Sequence, residues 1–102
     1  MNKAMFNDIV GDYCRLTYVK GWTWEGSCVR ITLSNDCSMT VSPSFIFKET
    51  IHLLELEAVD AEESAIFRGW YDDAAYEESY KHVEAIRETI RRYKAAWYKK
   101  EV

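Results

Sequence analysis

The chain has 102 residues, a hydrophobic content of 48% and a charged content of 29%, which is typical of a globular domain and excludes an intrinsically disordered chain. No apolar run approaches the roughly 20 residues that span a bilayer, and Asn7 and Asp8 interrupt the first apolar residues. The odd number and wide spacing of Cys14, Cys28 and Cys37 argue against a disulfide framework and against a zinc site. We therefore expect a cytoplasmic protein without a signal peptide, membrane helix, metal or cofactor.

The net charge of −4 is distributed unevenly. Residues 1–48 carry a net charge of +1, residues 49–80 carry −9, and residues 81–102 carry +4. A segment as acidic as the middle one repels nucleic acid and attracts a basic surface.

The first two thirds of the chain are predicted to form mainly strands. After a short helix from Lys3 to Val10, the segment "DYCRLTYVKGWTWEGSCVRITLSNDCSMTVS" alternates polar residues with β-branched and aromatic ones, and "EG" and "SND" mark turns. The segments "ETIHLLELEAV" and "SAIFRGWY", joined by a "DAEE" turn, predict further strands. For residues 43–57 a helix is an alternative, because Ser42 suits an N-cap and Pro43 suits the first helical position.

A long helix is predicted from Asp72 or Asp73 to about Lys100. Its large apolar residues recur at spacings of three and four, which places them on one helical face: Tyr76, Tyr80, Val83, Ile86, Ile90, Tyr93 and Trp97. We expect a single α+β domain over residues 1–102. Its four- or five-stranded, mostly antiparallel sheet lies within residues 10–71, and the helix of residues 72–100 packs on one face. The helix is also a candidate for homodimer formation.

The segment "KGWTWEG" raises the question of whether its two tryptophans are core or surface. If Glu25–Gly26 is a two-residue turn, strand alternation places Tyr18 and Trp22 on the core face beneath the long helix. The same register leaves Lys20 out of place on that face. Trp24, at the end of the hairpin, is either a rim residue or an exposed anchor for a partner.

The acidic segment supplies the candidate partner-binding residues. Glu55 and Glu57 are expected on one side of a strand, and the helix start carries further carboxylates that the helix dipole also favours there. The candidate set is Glu55, Glu57, Asp60, Glu62, Glu63, Asp72, Asp73 and Glu77, with Trp24 as an apolar anchor. Charge of this density engages a basic groove with salt-sensitive affinity.

Two other functions start from different residues. The basic "RRYKAAWYKK" segment would support a nucleic-acid-binding module through Arg91, Arg92, Lys99 and Lys100. A small enzyme would need a cleft that joins a histidine to carboxylates, for which Glu78 and His82, four apart on the helix, are candidates. His52, within an apolar segment, is expected to be a structural histidine. No common catalytic or nucleotide-binding motif occurs, so we assign no catalytic residue and expect a non-enzymatic protein.

The chain resembles the small inhibitors that phages carry against bacterial defence systems, anti-CRISPR proteins above all. The resemblance rests on a short acidic chain without a catalytic signature and on the concentrated acidic segment "ELEAVDAEES…WYDDAAYEES". It implies a non-enzymatic inhibitor that uses carboxylates to cover the nucleic-acid-binding surface of a protein complex such as a CRISPR effector. The basic last third of the chain departs from a uniformly acidic mimic.

Overall fold

The computed structural model describes residues 3–99, which form three α-helices and three β-strands. In chain order these are α1 (Lys3–Leu16), β1 (Val19–Glu25), β2 (Cys28–Leu33), β3 (Ser38–Val41), α2 (Pro43–Gly69) and α3 (Asp73–Tyr98). The antiparallel sheet has the order β1-β2-β3, so the fold is α+β. The chain divides into two compact units, Met1–Ile51 and His52–Val102. That residues 1–102 form one domain stays a prediction.

Helix α1 is longer than the sequence predicted. It continues beyond Val10 through residues that were expected to begin the first strand. Its buried residues Phe6, Ile9, Val10 and Tyr13 have the spacing of one helical face, and α1 packs against β1, where Phe6 contacts the tryptophans. The alternation that suggested a strand after Val10 was therefore the end of an amphipathic helix.

The β1–β2 hairpin turns one residue later than predicted. Gly26 and Ser27 form the turn, so Trp22 pairs with Ile31 and Trp24 with Val29. Gly26 has a φ of 65°, a conformation that glycine adopts without steric cost and that suits the first position of a type II′ turn. Moving the turn by one residue shifts the β2 partner of each tryptophan by two positions. Because side chains alternate with a period of two, the two tryptophans keep the same face of the sheet as predicted.

A bulge between Val19 and Gly21 explains why Lys20 does not lie on the core face, where regular alternation would place it. The irregular register turns Val19 into the core, whereas Tyr18, which was predicted there, is 86% exposed. Lys20 points outward and forms an ion pair with Asp36. The predicted alternation thus fails at the bulge and holds beyond it.

The predicted strands after residue 42 are wrong, because this part of the chain is helix α2. The alternative helical start is confirmed: Pro43 is the first helical residue, and the Phe45 amide donates to Ser42 Oγ at 3.1 Å. No glycine or proline interrupts residues 44–68, and the buried residues follow a helical spacing: Phe47, Ile51, Leu54, Ala58 and Ala65. The sheet of residues 3–99 therefore has three strands and not four or five, and the "DAEE" turn lies inside a helix.

The long C-terminal helix is confirmed. Asp72 is its N-cap, and its Oδ1 accepts a hydrogen bond of 3.0 Å from the amide of Ala74. The middle of the predicted face is buried: Val83, Ile86, Ile90 and Tyr93. Helix α3 ends at Tyr98, and Lys100 lies outside the described residues. That α3 covers a face of the sheet stays a prediction.

Candidate functional site

The eight candidate carboxylates lie on α2, on α3 or in the turn between them, all within the unit His52–Val102, which we call the helical hairpin. Because residues 55 and 57 are helical, their side chains point about 160° apart and not to one side, as a strand would place them. Glu55 lies 3.4 Å from Lys94 Nζ, whereas Glu57 lines a groove on the opposite flank of α2. These two residues do not form a common site.

Glu62 is engaged within the hairpin. Arg87 on α3 forms an ion pair with Glu62 and donates from Nη1 to the Tyr80 hydroxyl at 3.1 Å. The Tyr80 hydrogen bond and the Glu62 charge raise the pKa of Arg87, so both contacts favour the charged guanidinium. Glu62 therefore ties α2 to α3 and presents less charge to a partner.

The remaining candidates differ in what they offer a partner. Asp72 is exposed, but its carboxylate caps α3. Four other candidates are exposed and form no ion pair within residues 3–99: Asp60, Glu63, Asp73 and Glu77. We call these four the open carboxylates. They are the part of the predicted acidic surface that stays available for an outside cation.

An open groove of about 560 Å³ runs between α2 and α3. Its polar lining combines carboxylates with a guanidinium, an imidazole and two hydroxyls: Glu57, Asp60, Glu78, Arg68, His82, Ser64 and Ser79. Arg68 Nη1 donates to Ser79 Oγ at 3.0 Å. A second, shallower depression joins Asp60 and Glu63 to Phe67.

The groove joins His82 to carboxylates, which is the arrangement expected of a small enzyme. Within the described residues, however, His82 forms no hydrogen bond or ion pair with Glu78 or with either serine. A nucleophile activated by a base requires such a contact, with a further group to orient the base. The groove as it stands can hold charges and polar groups but contains no assembled catalytic pair.

Other sequence candidates for chemistry are distributed over the surface. His52 was expected to be a structural histidine in a strand, but it is exposed on α2. Across residues 3–99 no group of three or more His, Cys, Asp or Glu side chains is arranged to hold a metal ion. Nor does any helix in this part of the chain have the length and apolar character needed to cross a membrane.

Trp22 and Trp24 lie in the other unit and pack on α1. The Phe6 ring is 6.3 Å from Trp22, edge to face, and 5.0 Å from Trp24. Trp22 is half-buried and contacts Trp24 on its own strand and Phe6 on α1, where the sequence had suggested the long helix. Trp24 is 39% exposed, so it is a rim residue held by Phe6 with one side open.

Sequence reasoning missed an exposed aromatic cluster where α2 ends. Phe67, Trp70 and Tyr71 are 56%, 73% and 79% exposed. The Phe67 ring lies 5.7 Å from each of the other two rings, so the three side chains form one group. The signal was present in "FRGWYDD", where a glycine and two aspartates surround the aromatics, but "SAIFRGWY" was predicted to be a strand.

The basic end of α3 is partly neutralised by carboxylates of the same unit. Arg91 pairs with Glu88, and Lys94 pairs with Glu55. Together with the Arg87–Glu62 pair, these contacts reduce the positive field that would attract a phosphate backbone. The described part of the hairpin is therefore dominated by its acidic end.

Comparison with known proteins supplies no relative for this chain. No family model matches it, and neither the curated proteins nor the solved structures give a significant match.

Proposed function

We propose that this protein is a non-enzymatic inhibitor that uses the acidic end of its helical hairpin to occupy a basic, nucleic-acid-binding surface of another protein. A CRISPR effector in the bacterial cytoplasm is the target class that the sequence resemblance favours. The observation that carries the proposal is the set of open carboxylates Asp60, Glu63, Asp73 and Glu77.

The charge around these residues is strongly one-sided. Residues 57–78 contain eight carboxylates and one cation, Arg68, which gives a net charge of −7. Ion pairing inside the hairpin neutralises Glu62 but leaves the open carboxylates exposed. A surface of this kind competes with nucleic acid for the same lysine and arginine side chains, with an affinity that falls as salt rises.

Binding and not catalysis is the activity that the groove supports. Its histidine and serines lack the hydrogen bond that would activate a nucleophile, whereas its carboxylates need only face a cation. Inhibition by occupancy requires one inhibitor per binding surface, so the proposal includes a stoichiometric effect.

The test is the binding of fluorescent target DNA by purified CRISPR effector complexes, with increasing amounts of the protein. In the test variant the four open carboxylates become amides (D60N, E63Q, D73N and E77Q). The matched control removes four charges from the other unit (D8N, D12N, E25Q and D36N). Both variants lose four negative charges from a formal net charge of −4. The control also removes the ion pairs of Asp12, Glu25 and Asp36, so its stability is measured beside that of the test variant.

We expect the test variant to inhibit about tenfold less, because four exposed charge contacts of about 0.4 kcal/mol each together correspond to one decade in affinity. The control variant should inhibit as the unaltered protein does. Circular dichroism establishes that both variants fold. Equal inhibition by the two variants, or no inhibition of any effector, would contradict the proposal, and direct binding of the DNA by the protein alone would favour the nucleic-acid-binding alternative.

A further inference from the structure

We propose that the outer face of α2 is a docking stripe for a partner helix whose apolar face is bordered by lysine and arginine. The stripe consists of Leu56, Val59, Ile66 and Phe67 on α2 and of Trp70 in the turn that directly follows the helix. The inference deepens the proposed function, on which it rests for the basic character of the partner.

Helix α2 has two apolar faces. Leu54, Ala58 and Ala65 form the buried one. At about 100° per residue the stripe lies roughly 140° around the helix from them. All five residues of the stripe are exposed, which is unusual for an apolar set of this size in one place.

The spacing of the stripe fits a helix better than a flat surface. Positions 56, 59, 66 and 70, with Glu63 between them, follow the three-and-four spacing of residues that pack along a second helix. From Leu56 to Phe67 on α2 this spacing covers about 16 Å, or three turns, and Trp70 in the following turn extends it. A partner helix of about 14 residues would therefore contact the whole stripe.

The aromatic end of the stripe has the character of an anchor. Trp70 lies 5.7 Å from Phe67, and their contact orients both rings without covering them. Tryptophan and tyrosine dominate the binding energy of many interfaces when a partner covers them. The nearby Tyr71 extends the same group.

The charge beside the stripe selects the partner. Asp60 lies on one flank and Glu63 lies within the stripe, and neither forms an ion pair in the described residues. Glu55 and Glu62 lie on the other flank, where Lys94 and Arg87 already pair with them. A second copy of α2 would place carboxylate against carboxylate at Asp60 and Glu63, whereas a helix bordered by lysine and arginine would place a cation against each of them.

The experiment uses synthetic 14-residue peptides as probes, measured by fluorescence anisotropy. The first has leucine on one helical face and lysine on the other, the second replaces lysine with glutamate, and the third scatters the leucines of the first. The stripe variant of the full chain is F67A with W70A. The matched control is Y18A, which removes an aromatic side chain that is 86% exposed in the other unit.

We expect the leucine–lysine peptide to bind, with at least tenfold weaker affinity for the stripe variant and unchanged affinity for Y18A. The glutamate peptide and the scattered peptide should bind at least tenfold more weakly to the unaltered protein. With 5-fluorotryptophan incorporated, the ¹⁹F resonance assigned to Trp70 should shift on binding, whereas that of Trp24 should not. Circular dichroism and the ¹⁹F spectrum of the free protein establish that the variant is folded.

Four results would overturn the stripe. The first is equal binding of the leucine–lysine and scattered peptides. The second is peptide binding that D60N with E63Q weakens and F67A with W70A does not, which supports the acidic surface alone. The third is a Trp70-dependent dimer in sedimentation velocity, and the fourth is Trp70-dependent binding to phosphatidylcholine vesicles. Conversely, Trp70-dependent peptide binding supports the stripe even if the open carboxylates prove dispensable for inhibition of effectors.

Discussion

Glu62 on α2 and Arg87 on α3 form an ion pair that joins the two helices of the hairpin, and Arg87 also donates to the Tyr80 hydroxyl at 3.1 Å. The adjacent glutamates Glu62 and Glu63, in the same turn of α2, have different environments. Glu62 is engaged by a guanidinium, whereas Glu63 is exposed and forms no ion pair in the described part of the hairpin. Adjacent residues of the same type make a matched pair for mutagenesis.

We expect E62Q and E63Q to separate stability from binding. E62Q should lower the melting temperature by about 1–3 °C, since an exposed ion pair contributes little, and the loss should shrink in high salt. E63Q should leave the melting temperature unchanged and weaken inhibition by about twofold to threefold. Thermal unfolding and the DNA-binding assay, each at low and high salt, measure both effects. Equal effects of the two variants on inhibition would mean that the Arg87 pair does not withhold Glu62 from the partner.

A second prediction concerns the groove that contains His82. Because His82 has no hydrogen-bonded carboxylate or hydroxyl partner within residues 3–99, we expect H82A to inhibit as the unaltered protein does, within about twofold. The matched control is H52A, which removes an exposed histidine from α2. The amount of inhibitor needed for full effect should equal the amount of target. An enzyme would inhibit when its own concentration is a small fraction of the target concentration. If H82A abolished such inhibition and H52A preserved it, the protein would be an enzyme that uses His82.

How far the sequence predicts this fold depends on local signals. Asp72 before a regular three-and-four pattern was enough to place α3, because a cap and an amphipathic face agree. For α2 the cap at Ser42 and the proline after it were visible too. The strand interpretation rests on the alternation of polar and apolar residues in "ETIHLLELEAV". A helix with apolar residues on two faces gives no single apolar stripe, so the helical period is hard to recognise in the sequence.

The error over α2 explains which site residues were misassigned. A strand places Glu55 and Glu57 together, whereas a helix separates them to opposite flanks. The acidic character of the surface depends on composition alone, so that prediction does not require the correct secondary structure. The exposure of Trp70 and the pairing of Glu62 with Arg87 depend on how α2 and α3 meet, which no short stretch of sequence encodes.

A third prediction concerns stability at alkaline pH. Burial first, and then the nearby charges of Glu49 and Cys14, raise the pKa of Tyr13 above its usual value of 10.0. The folded state therefore resists ionisation of Tyr13 more than the unfolded state does. Its contribution to the free energy of unfolding is fully present below pH 10 and is lost as the pH rises through the higher folded pKa.

The measurement is urea unfolding of the unaltered protein and of Y13F between pH 8 and pH 11. Phenylalanine keeps the ring in the core but does not ionise, so Y13F should lose less stability than the unaltered protein above pH 10. The difference between the two proteins should stay constant from pH 8 to about pH 9. Parallel curves up to pH 11 would mean that Tyr13 ionises equally easily in both states.

The last prediction tests how the hairpin turns at Gly69. A Cβ placed there would lie 3.0 Å from Cδ2 and 3.1 Å from Cβ of Tyr76, closer than side chains normally approach. The Tyr76 ring is stacked on Tyr80, with centroids 5.7 Å apart, which limits its freedom to move away. We therefore expect G69A to destabilise the protein by about 1 kcal/mol, which is the low end for an overpacked contact.

A double-mutant cycle with Y76G isolates this contact, because glycine removes both the ring and the Cβ of residue 76, whereas alanine would keep the Cβ at 3.1 Å. In the Y76G background the obstacle is gone, so G69A should be neutral or stabilising by about 0.5 kcal/mol, because alanine is favoured over glycine in a helix. Urea unfolding of the four proteins gives the coupling free energy. If G69A has the same effect in both backgrounds, the glycine is required for another reason, and the close approach to Tyr76 does not determine the turn. If the coupling free energy is about 1 kcal/mol or more, the Gly69–Tyr76 contact helps to fix the turn between α2 and α3. Trp70 and Tyr71 are exposed in that turn.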